Sequence, residues 1–547
     1  MLDIKKHSAQ AKRLAQILHI LCRYNLADWF KGVSVEFILD HLVSSKEKEI
    51  LEMPFPKRLR LALTEMGTTY IKFGQILSTR ADLVGPEVAD ELRKLQSDTP
   101  ADEPALVKSM IEDELGKDPE VLFSKFDYHV LASASIGQVH TAQLAEGKQV
   151  VLKVQHAGIQ EKVYLDLELL QELAALIQKH VPDARAYQPV ATAREFERTL
   201  LKELDFSSER RNIEQFTRNF TGDESVHIPI TYPKLCSRRV LTMERLEGIS
   251  GSQPDELAAA GVDLNEFANN AANVFLNMIL RDGFYHADPH PGNFMLLDGG
   301  VLGLLDCGMV GHIDETLRDQ FEEMLLLLLQ GDSEGLSDVL LKLGSAPPNI
   351  NRADFQADIS DLLVDIKTQP LQDVELGPVL EQITDILRRY QILMNSRMSL
   401  LLKTLVMLEG TSQLLSPTFS LGEILEPFRK KLICERMDPR HWLRQSQRSV
   451  RDIYRLVRQA PRNVADILDR ITTGELTIRH DVQHFEVIAS RLVAGVLAAS
   501  MFMGSSLLLS RGFPPQVSGI SVCGAIGCLS SLILGGKLLW TIRKDLK

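Results

Sequence analysis

Cysteine is scarce in this chain, and its cysteines are not arranged as a metal site or a redox pair. The 547 residues include six of them, scattered at Cys22, Cys236, Cys307, Cys434, Cys523 and Cys528. The sequence has no Cys-x-x-Cys pair and no histidine cluster at zinc spacing. We therefore predict free thiols in a reducing compartment, which excludes a disulfide framework and a zinc-stabilised fold.

The chain also lacks an excess of positive charge. It has 61 Lys and Arg residues against 73 Asp and Glu residues, which leaves a net charge of −12 at pH 7. Proteins that bind nucleic acid usually present a basic surface, so we expect no nucleic-acid partner. The N-terminus does not have the pattern of a signal peptide either, because the apolar stretch at 14–21 is short and no small-residue cleavage pattern follows it.

Charge of either sign is absent from two long stretches near the C-terminus, 492–510 and 512–536. A membrane-spanning helix needs about 20 apolar residues, so we predict two transmembrane helices within 487–543. A single arginine lies in the turn between them, whereas basic residues flank both outer ends. The positive-inside rule then places both ends in the cytoplasm. The alternative is a buried helical hairpin in a soluble core.

The rest of the chain has an ordinary globular composition, with 45% hydrophobic and 24% charged residues. Its length is sufficient for two or three domains. Strand patterns lie at 130–144, 149–155, 240–248, 294–297 and 301–305. Helical patterns lie at 1–60, 60–80, 101–128, from 156 to about 219, at 265–281 and at 314–395. This mixture predicts an α+β fold.

The densest cluster of chemically active side chains lies between 286 and 308. Asp288 and Asn293 precede a short apolar run, and Asp306 follows a second one. The Asp-Gly-Gly between the runs predicts a hairpin turn, which would bring the three side chains to one end of the hairpin. Their oxygens suit Mg²⁺ bound with phosphates. The spacing Asp-x-x-x-x-Asn, followed by Asp-x-Gly, matches the catalytic and metal loops of protein kinases.

A lysine within a strand extends this pattern. The stretch 130–144 predicts two strands around a tight turn of small residues, and Lys153 lies in the third strand. A lone lysine in a strand is usually at an edge or snorkelling, but after a small-residue hairpin it is where a phosphate-binding cation belongs. Glu209 is a candidate ion-pair partner for it. The strand that reaches Glu244 is a candidate nucleotide-binding hinge.

Two further polar pairs lie in helical segments. Lys72 and Gln75 are three residues apart and would share one helix face. Glu203 and Asp205 are two residues apart, so they would point the same way only if the helix broke between them. A solvated polar face is the ordinary explanation for such pairs taken alone.

A stripe of arginines precedes the predicted membrane spans. Its members recur at steps of three or four residues: Arg440, Arg444, Arg448, Arg451, Arg455, Arg458 and Arg462. A basic amphipathic helix at this position favours contact with anionic lipid headgroups. A salt-bridged helix on an acidic protein is an equal alternative.

Several motifs together resemble the UbiB family of atypical kinase-like proteins, also called ADCK proteins, and its bacterial members in particular. They are Lys72-Phe-Gly-Gln75, Ala132-Ser-Ala-Ser-Ile-Gly-Gln-Val-His140, Lys153, Glu203-Leu-Asp205, His286-Ala-Asp-Pro-His-Pro-Gly-Asn293-Phe and Asp306-Cys-Gly308. No single motif is specific, but the combination is. The resemblance implies a two-lobed protein-kinase-like fold and a role in ubiquinone (coenzyme Q) biosynthesis at the cytoplasmic membrane.

The resemblance also implies an order of domains. They are an N-terminal helical extension with the Lys-x-Gly-Gln motif at 1–118, a kinase-like N-lobe at 119–248, a kinase-like C-lobe at 249–415, a basic amphipathic linker at 416–486 and two transmembrane helices at 487–543. The kinase-like part would lie in the cytoplasm.

The cofactors that the resemblance implies are ATP and Mg²⁺, and it assigns site residues to both. The residues that would cover or contact the nucleotide are Val130, Leu131, Ala132, Ser133, Ala134, Ser135, Ile136, Gly137, Gln138, Lys153, Glu209 and Glu244. Lys153 would hold the α- and β-phosphates and pair with Glu209. Asp288 would be the acid of the catalytic loop, and Asn293 and Asp306 would bind Mg²⁺.

An added helix would complete the implied site. Lys72 and Gln75 would lie over it and meet Glu203 and Asp205. This helix would take up space where a protein substrate docks in ordinary kinases.

Other departures from ordinary kinases lie in the loops. The nucleotide loop has one glycine, Gly137, so it would be stiffer and offer fewer bare N–H groups to phosphates. Cys307 and Ala287 replace the usual Phe and Arg of the metal and catalytic loops, and no Ala-Pro-Glu motif follows. These departures disfavour a conventional protein kinase.

Three functions remain open at this stage. The first is an ATPase or small-molecule kinase that helps to extract or deliver membrane-bound quinone precursors. The second is a nucleotide-binding pseudokinase that organises a membrane biosynthetic complex without turnover. A protein kinase ranks last. The partners implied are membrane lipids, quinone precursors and other ubiquinone-biosynthesis proteins.

Overall fold

The computed structural model describes residues 2–26, 50, 53–95, 99–181, 188–347, 349–368, 375–428, 485–511, 514–517 and 520–545. The chain divides into two compact units, Met1–Asp438 and Pro439–Lys547. The first unit mixes helices with mostly antiparallel sheets, so the predicted α+β class is confirmed. The predicted arginine stripe lies outside the described residues.

An array of helices precedes the first strand. They are α1 (Leu2–Arg23), α2 (Phe55–Met66), α3 (Thr68–Leu77), α4 (Ala81–Val84), α5 (Pro86–Arg93), α6 (Pro104–Leu115) and α7 (Pro119–Leu122). Arg13 of α1 donates to the carboxylate of Asp166 at 2.7 Å and to the main-chain oxygen of Met66 at 2.7 Å. Because Asp166 is fully buried, this ion pair anchors the helical array to the rest of the unit.

The single helix predicted over 60–80 is wrong, because Gly67 breaks it between α2 and α3. Gly67 has a φ of +95°, a conformation that only glycine adopts at little cost. Its N–H closes α2 by donating to the carbonyl oxygens of Leu63 and Thr64. The break gives α3, which carries Lys72, an orientation independent of α2.

A four-stranded antiparallel sheet follows the helical array. The strands of this region are β1 (Lys125–Ser133), β2 (Gly137–Gln143), β3 (Gln149–Gln155), β4 (Val226–His227) and β5 (Val240–Glu244), and the sheet order is β1-β2-β3-β5. Strand β1 begins inside the stretch predicted to be helical up to 128. The reason is that Phe126 pairs with Ala142 of β2 and packs against the rings of Phe123, Tyr128 and His140.

The two faces of this sheet have different partners. Val150, Leu152 and Val154 are fully buried in a cluster with Val107 and Ile111 of α6. The opposite face, which carries Lys153, is covered by the helices that follow: α8 (Ile159–His180), α9 (Pro189–Glu203) and α10 (Phe206–Asn219). The chain breaks between α9 and α10, where Asp205 caps α10, so Glu203 and Asp205 belong to different helices.

The remaining elements of the first unit are mostly helical. The strands are β6 (Ile249–Ser250), β7 (Phe284–His286), β8 (Phe294–Leu296), β9 (Leu302–Leu304), β10 (Val310–His312), β11 (Gly344–Ser345) and β12 (Leu393–Met394). The helices are α11 (Pro254–Ala259), α12 (Leu264–Leu276), α13 (Glu315–Gln330), α14 (Ser333–Leu343), α15 (Arg352–Thr368), α16 (Leu376–Arg389) and α17 (Ser396–Leu415). Strands β8 and β9 form the predicted hairpin, and α17 is a core helix with eleven buried residues.

The second unit contains two long apolar helices, α18 (Phe485–Ser510) and α19 (Val522–Asp545), with the short strands β13 (Gln516–Val517) and β14 (Ile520–Ser521) between them. The helices pack closely, because a Cβ at Gly524 would lie 2.8 Å from the main-chain N of Leu509. Among the described residues, one helical segment, Val493–Ser510, is long and apolar enough to cross a membrane. The apolar part of α19, Val522–Lys537, is shorter.

Candidate active site

Lys153 lies at the centre of the site, between two carboxylates from distant parts of the chain. Its Nζ is 2.8 Å from Oε2 and 3.0 Å from Oε1 of Glu209 on α10. The same Nζ is 3.3 Å from Oδ2 of Asp306, which follows β9. Strand β3, helix α10 and the β8–β9 hairpin therefore converge on one cation.

The three charges shift one another's titration. Burial by itself would lower the pKa of Lys153, but Asp306 and Glu209 raise it well above its ordinary value. Withdrawal from water would raise the pKa of Asp306, yet the charge of Lys153 and the N–H of Gly308 hold it well below its usual range. The pKa of Glu209 is raised, because its burial outweighs the attraction of Lys153.

The β8–β9 hairpin brings the predicted catalytic and metal residues together. Nδ2 of Asn293 donates to Oδ2 of Asp288 at 2.8 Å and to the main-chain oxygen of Asp288 at 3.1 Å. The N–H of Leu305 donates to the oxygen of Asn293 at 2.8 Å, which places Asp306 beside that loop. His286 accepts from the N–H of Asp288 through Nδ1 and bonds the main-chain oxygen of Asp306 through Nε2.

The oxygen donors fit a cation that arrives with phosphates. No group of three or more His, Cys, Asp or Glu side chains within the described ranges converges in a metal-binding arrangement. Mg²⁺ commonly takes one or two protein ligands and completes its shell with phosphates and water. Asp306 and Asn293 supply such a pair, and Asp306 keeps 47% of its side-chain surface exposed.

The nucleotide loop joins β1 to β2 and reaches the surroundings of Lys153 through Phe206. The N–H of Ala134 donates to the oxygen of Gly137 at 2.9 Å and closes the turn. A Cβ at position 137 would lie 2.6 Å from the main-chain oxygen of Val154 and 3.2 Å from Cζ of Phe206, so the loop requires glycine there. The Phe206 ring in turn lies 5.4 Å from Nζ of Lys153.

The predicted loop residues differ in exposure. Val130 and Leu131 on β1 are 37% and 57% exposed, so their side chains face solvent. The residues from Ser135 to Gln138 are buried. The half of the loop that leads into β2 is therefore the half that is fixed by packing.

Glu244 uses its carboxylate within the protein. Oε2 accepts from Nε2 of His227 at 3.0 Å and from the N–H of Ile230 at 3.1 Å. These bonds hold the end of β5 against the segment that precedes it. Any contact of Glu244 with a nucleotide would therefore come from the main chain.

Of the four side chains expected to meet over the site, Lys72 on the added helix α3 and Glu203 form an ion pair. Nζ of Lys72 is 2.7 Å from Oε2 of Glu203. Gln75 donates instead to the main-chain oxygen of Leu95 at 3.0 Å, and Asp205 caps α10. The expected meeting of four side chains is thus a single ion pair. Burial would lower the pKa of Lys72, but Glu203 and Asp306 raise it, so the charge of Lys72 also acts on the site.

Sequence reasoning missed a third lysine near the site, Lys403 on α17. Burial lowers its pKa to about 8, with Asp288 opposing that shift and Arg93 adding to it. The hydroxyl of the next residue, Thr404, donates to the main-chain oxygen of Ala287 at 3.3 Å, which seats α17 on the catalytic loop. The available signal was that Lys403 is the one charge within the apolar run 398–408.

Three family models match successive parts of the chain. The ABC1 atypical kinase-like domain matches residues 94–340, the UbiB helical domain matches 359–420, and the ABC1/UbiB kinase-like C-terminal domain matches 477–544. The first of these spans the sheet and the β8–β9 hairpin, and its description is that of an atypical kinase-like domain.

Curated relatives cover most of the chain. A protein of Pseudomonas fluorescens (strain Pf0-1) named "Probable protein kinase UbiB" is 33% identical over 473 residues, which is 84% of this chain and 87% of the relative. A protein of the same name from Vibrio vulnificus (strain YJ016) is 34% identical and covers 79% of this chain and 81% of the relative. A solved structure, Rv3197 with erythromycin from Mycobacterium tuberculosis, covers 69% of this chain and 100% of its own at 21% identity, with a TM-score of 0.39.

Proposed function

Because this chain belongs to the ABC1/UbiB family of atypical kinase-like proteins, we propose that it is an ATPase required for ubiquinone biosynthesis. In this proposal it uses ATP to aid access to, or delivery of, quinone precursors held in the membrane. The relatives are named probable protein kinases, and the proposal differs from those names in the acceptor of the phosphoryl group.

The observation that carries the proposal is the joint geometry of five polar side chains. Lys153 pairs with Glu209 and Asp306, and Asn293 holds the carboxylate of Asp288. A protein of this fold that no longer hydrolysed ATP would not need to hold together the cation Lys153, the acid Asp288 and the two metal ligands Asn293 and Asp306. This arrangement supports phosphoryl transfer, which depends on positioning and electrostatic stabilisation more than on covalent chemistry.

Each residue has a role that follows from its contacts. MgATP, when bound, supplies the γ-phosphoryl group. Lys153 offers a positive charge to phosphate oxygens, and Glu209 fixes the direction of its side chain. Asn293 orients Asp288 by donating to its Oδ2, so the other carboxylate oxygen is available to accept a proton from the attacking water. Asp306 and Asn293 would hold the cation.

The acceptor is inferred to be water rather than a protein hydroxyl. The ion pair between Lys72 and Glu203 places α3 beside Lys153 and Asp306. Ordinary kinases lack this helix. Water reaches a covered site more readily than a protein segment does. A small lipid-like acceptor is compatible with the same geometry.

The membrane part of the proposal rests on α18 and α19. We infer that both helices span the cytoplasmic membrane, with the kinase-like part on the cytoplasmic side. Val493–Ser510 meets the length and hydropathy expected of a span, and its packing against α19 through Gly524 supports a hairpin. The proposed partners are membrane lipids, quinone precursors and other ubiquinone-biosynthesis proteins.

The test is ADP release by the full-length protein in lipid nanodiscs with Mg²⁺. We expect turnover in the wild type and a loss of at least 100-fold in Asp288→Asn, because the amide cannot accept the proton. Asp298→Asn is the matched control, since Asp298 is an exposed acid at the other end of the same hairpin. Its turnover should equal that of the wild type.

A nucleotide-binding scaffold without turnover is the second candidate, and the nucleotide loop favours it. The buried half of that loop, with its single glycine, leaves few free N–H groups for phosphates. If the wild type binds nucleotide without releasing ADP, and Asp288→Asn still supports ubiquinone production in cells, the scaffold replaces the ATPase.

A further inference from the structure

One pair of side chains fastens the nucleotide loop from outside the proposed site. Asp102 lies in the segment before α6, and His156 directly follows β3. Neither belongs to the motifs that identify the family, and neither contacts Lys153, Asp288 or Asp306 in the bonds of the described residues. His156, however, bonds to the turn that joins β1 to β2, and Asp102 bonds to Gln138 at the start of β2.

His156 holds the tip of the loop. Its ring is almost fully buried, with 6% of the side chain exposed. Nε2 donates to the main-chain oxygen of Ala134 at 2.9 Å, and the main-chain N–H of His156 donates to the oxygen of Ile136 at 3.0 Å. A single residue therefore binds two carbonyl groups of the loop.

Asp102 ties the loop's exit into β2 to the segment after β3. Its Oδ2 accepts from the N–H of Ala157 at 2.9 Å, and its own N–H donates to Oε1 of Gln138 at 3.2 Å. Its Oδ1 lies 3.2 Å from Nδ1 of His156, without the alignment of a hydrogen bond. The three contacts join the start of β2 to the end of β3 through one carboxylate residue.

The fastening lies on the face of the sheet that is turned away from Lys153. Gln138 is paired with Val154, whereas Val139 is paired with Lys153. Directly opposite residues of an antiparallel pair share a face, and Val154 packs with α6 on the outer side. The bonds of Asp102 can therefore restrain the loop without occupying the space that a nucleotide would fill.

We propose that Asp102 and His156 form a clamp that holds the nucleotide loop closed and sets the rate at which nucleotide leaves. The two residues are positioning residues, because they act through the loop. The physical reason is that a loop with one glycine has few backbone conformations, so bonds to Ala134, Ile136 and Gln138 add to the packing that holds it in one of them. The inference rests on the proposed nucleotide site for its effect on exchange.

The clamp is tested by two measurements on the full-length protein in nanodiscs. The first is amide hydrogen exchange of residues 133–138 without nucleotide, which does not depend on ATP binding or turnover. The second is the dissociation rate of a fluorescent ADP analogue. Asp102→Ala loses the side-chain bond to Ala157 and the contact with His156, while the main-chain bond to Gln138 remains. In this variant we expect at least fivefold faster exchange of these amides and at least threefold faster nucleotide dissociation, with a smaller change in the ATP hydrolysis rate at saturation.

Conservative variants separate a positioning role from general loss of stability. Asp102→Asn keeps an acceptor for the N–H of Ala157, and His156→Gln keeps a donor toward Ala134, so both should retain most of the wild-type protection. The matched control is Glu114→Gln. It removes the charge of Glu114 from an ion pair of 2.6 Å with Arg239 beside β5. This pair joins α6, the helix that follows Asp102, to the same sheet away from the loop.

The outcomes are distinct. The clamp is overturned if the amides of residues 133–138 exchange in Asp102→Ala at the wild-type rate. It is also overturned if their exchange rate rises equally in Glu114→Gln. Faster loop exchange in Asp102→Ala with no nucleotide binding by the wild type keeps the clamp and overturns the proposed function. Should Asp102→Ala fail to fold, the same comparison is made between His156→Phe and His156→Gln, where only the former loses the bond to Ala134.

Discussion

Lys153 is the residue whose replacement addresses the site most directly. Its Nζ lies between the carboxylates of Glu209 and Asp306, so removing the charge leaves two acids facing each other without a cation. In Lys153→Met we expect ATP affinity to fall at least tenfold, about 1.4 kcal/mol of binding free energy, measured by calorimetry. Lys148→Met is the control, because Lys148 is an exposed lysine between β2 and β3. Unchanged affinity in Lys153→Met would place the nucleotide elsewhere.

Lys403 gives a prediction about stability and pH. Its pKa in the folded protein is lowered to about 8 by burial, against the attraction of Asp288, whereas an unfolded lysine titrates near 10.4. Between these values the unfolded chain binds more protons, so the contribution of Lys403 makes stability rise with pH from about 8 to about 10.4. Below that window the folded state carries the full cost of a charged, partly buried lysine.

The variant Lys403→Met removes that cost and the titration with it. At pH 7 we expect its free energy of unfolding to exceed that of the wild type by ~1–3 kcal/mol, with a correspondingly higher melting temperature. The difference should shrink as the pH approaches 10. Other groups titrate in the same range, so the quantity that counts is the difference between the two proteins in thermal unfolding without nucleotide. A difference that is constant across pH would contradict the lowered pKa.

At the scale of elements, the break at Gly67 decides where Lys72 lies. Gly67→Ala forces a φ of +95° on a residue with a Cβ, which costs about 1–2 kcal/mol. The control is Gly116→Ala at the end of α6, where φ is +74° and a Cβ meets nothing within 4 Å. Both variants should lose stability, but only Gly67→Ala should change ADP release, because α3 carries the Lys72–Glu203 pair to the site. Equal rates of ADP release in the two variants would show that the position of α3 does not affect catalysis.

At the scale of the whole molecule, the proposed membrane attachment lies in the second unit, which holds the one described helix that is apolar enough for a span. A chain that ends after residue 484 lacks α18 and α19, so it should leave the membrane fraction in sedimentation of cell lysates. If the arginine stripe at 440–462 binds anionic headgroups, the shortened chain stays attached at low salt and is released at high salt, where the attraction is screened. Attachment that resists high salt would show that another surface holds the lipid.

Much of the local structure was accessible from patterns of a few residues. The hairpin at Asp298-Gly-Gly and the strand that carries Lys153 each depend on near neighbours in the chain, whose periodicity and turn preferences are local properties. The kinase-like spacing of Asp288, Asn293 and Asp306 was accessible for the same reason, because one short hairpin connects them.

Contacts between distant segments were not accessible in that way. Gln75 bonds to Leu95 rather than to the acids near 205, because the glycine break turns α3 independently of α2. The charge of Lys403 reaches Asp288 only because α17 packs on the catalytic loop, more than 100 residues away in sequence. The bonds from Asp102 and His156 to the nucleotide loop join residues that are more than 20 positions apart in the sequence.

The sequence by itself thus predicted the chemistry of the candidate site. Lys153 lies in a strand, Asp288 and Asn293 precede a hairpin and Asp306 follows it, and each of these is a local pattern. The geometry of the contacts that surround the site was not predicted by the sequence. The pairing of Lys153 with Glu209 and Asp306, the approach of Lys72 and Lys403 and the fastening of the loop by Asp102 all depend on distances across the folded chain. Electrostatic and hydrogen-bond energies vary with those distances and with burial, which only the packing of the helices around the sheet establishes.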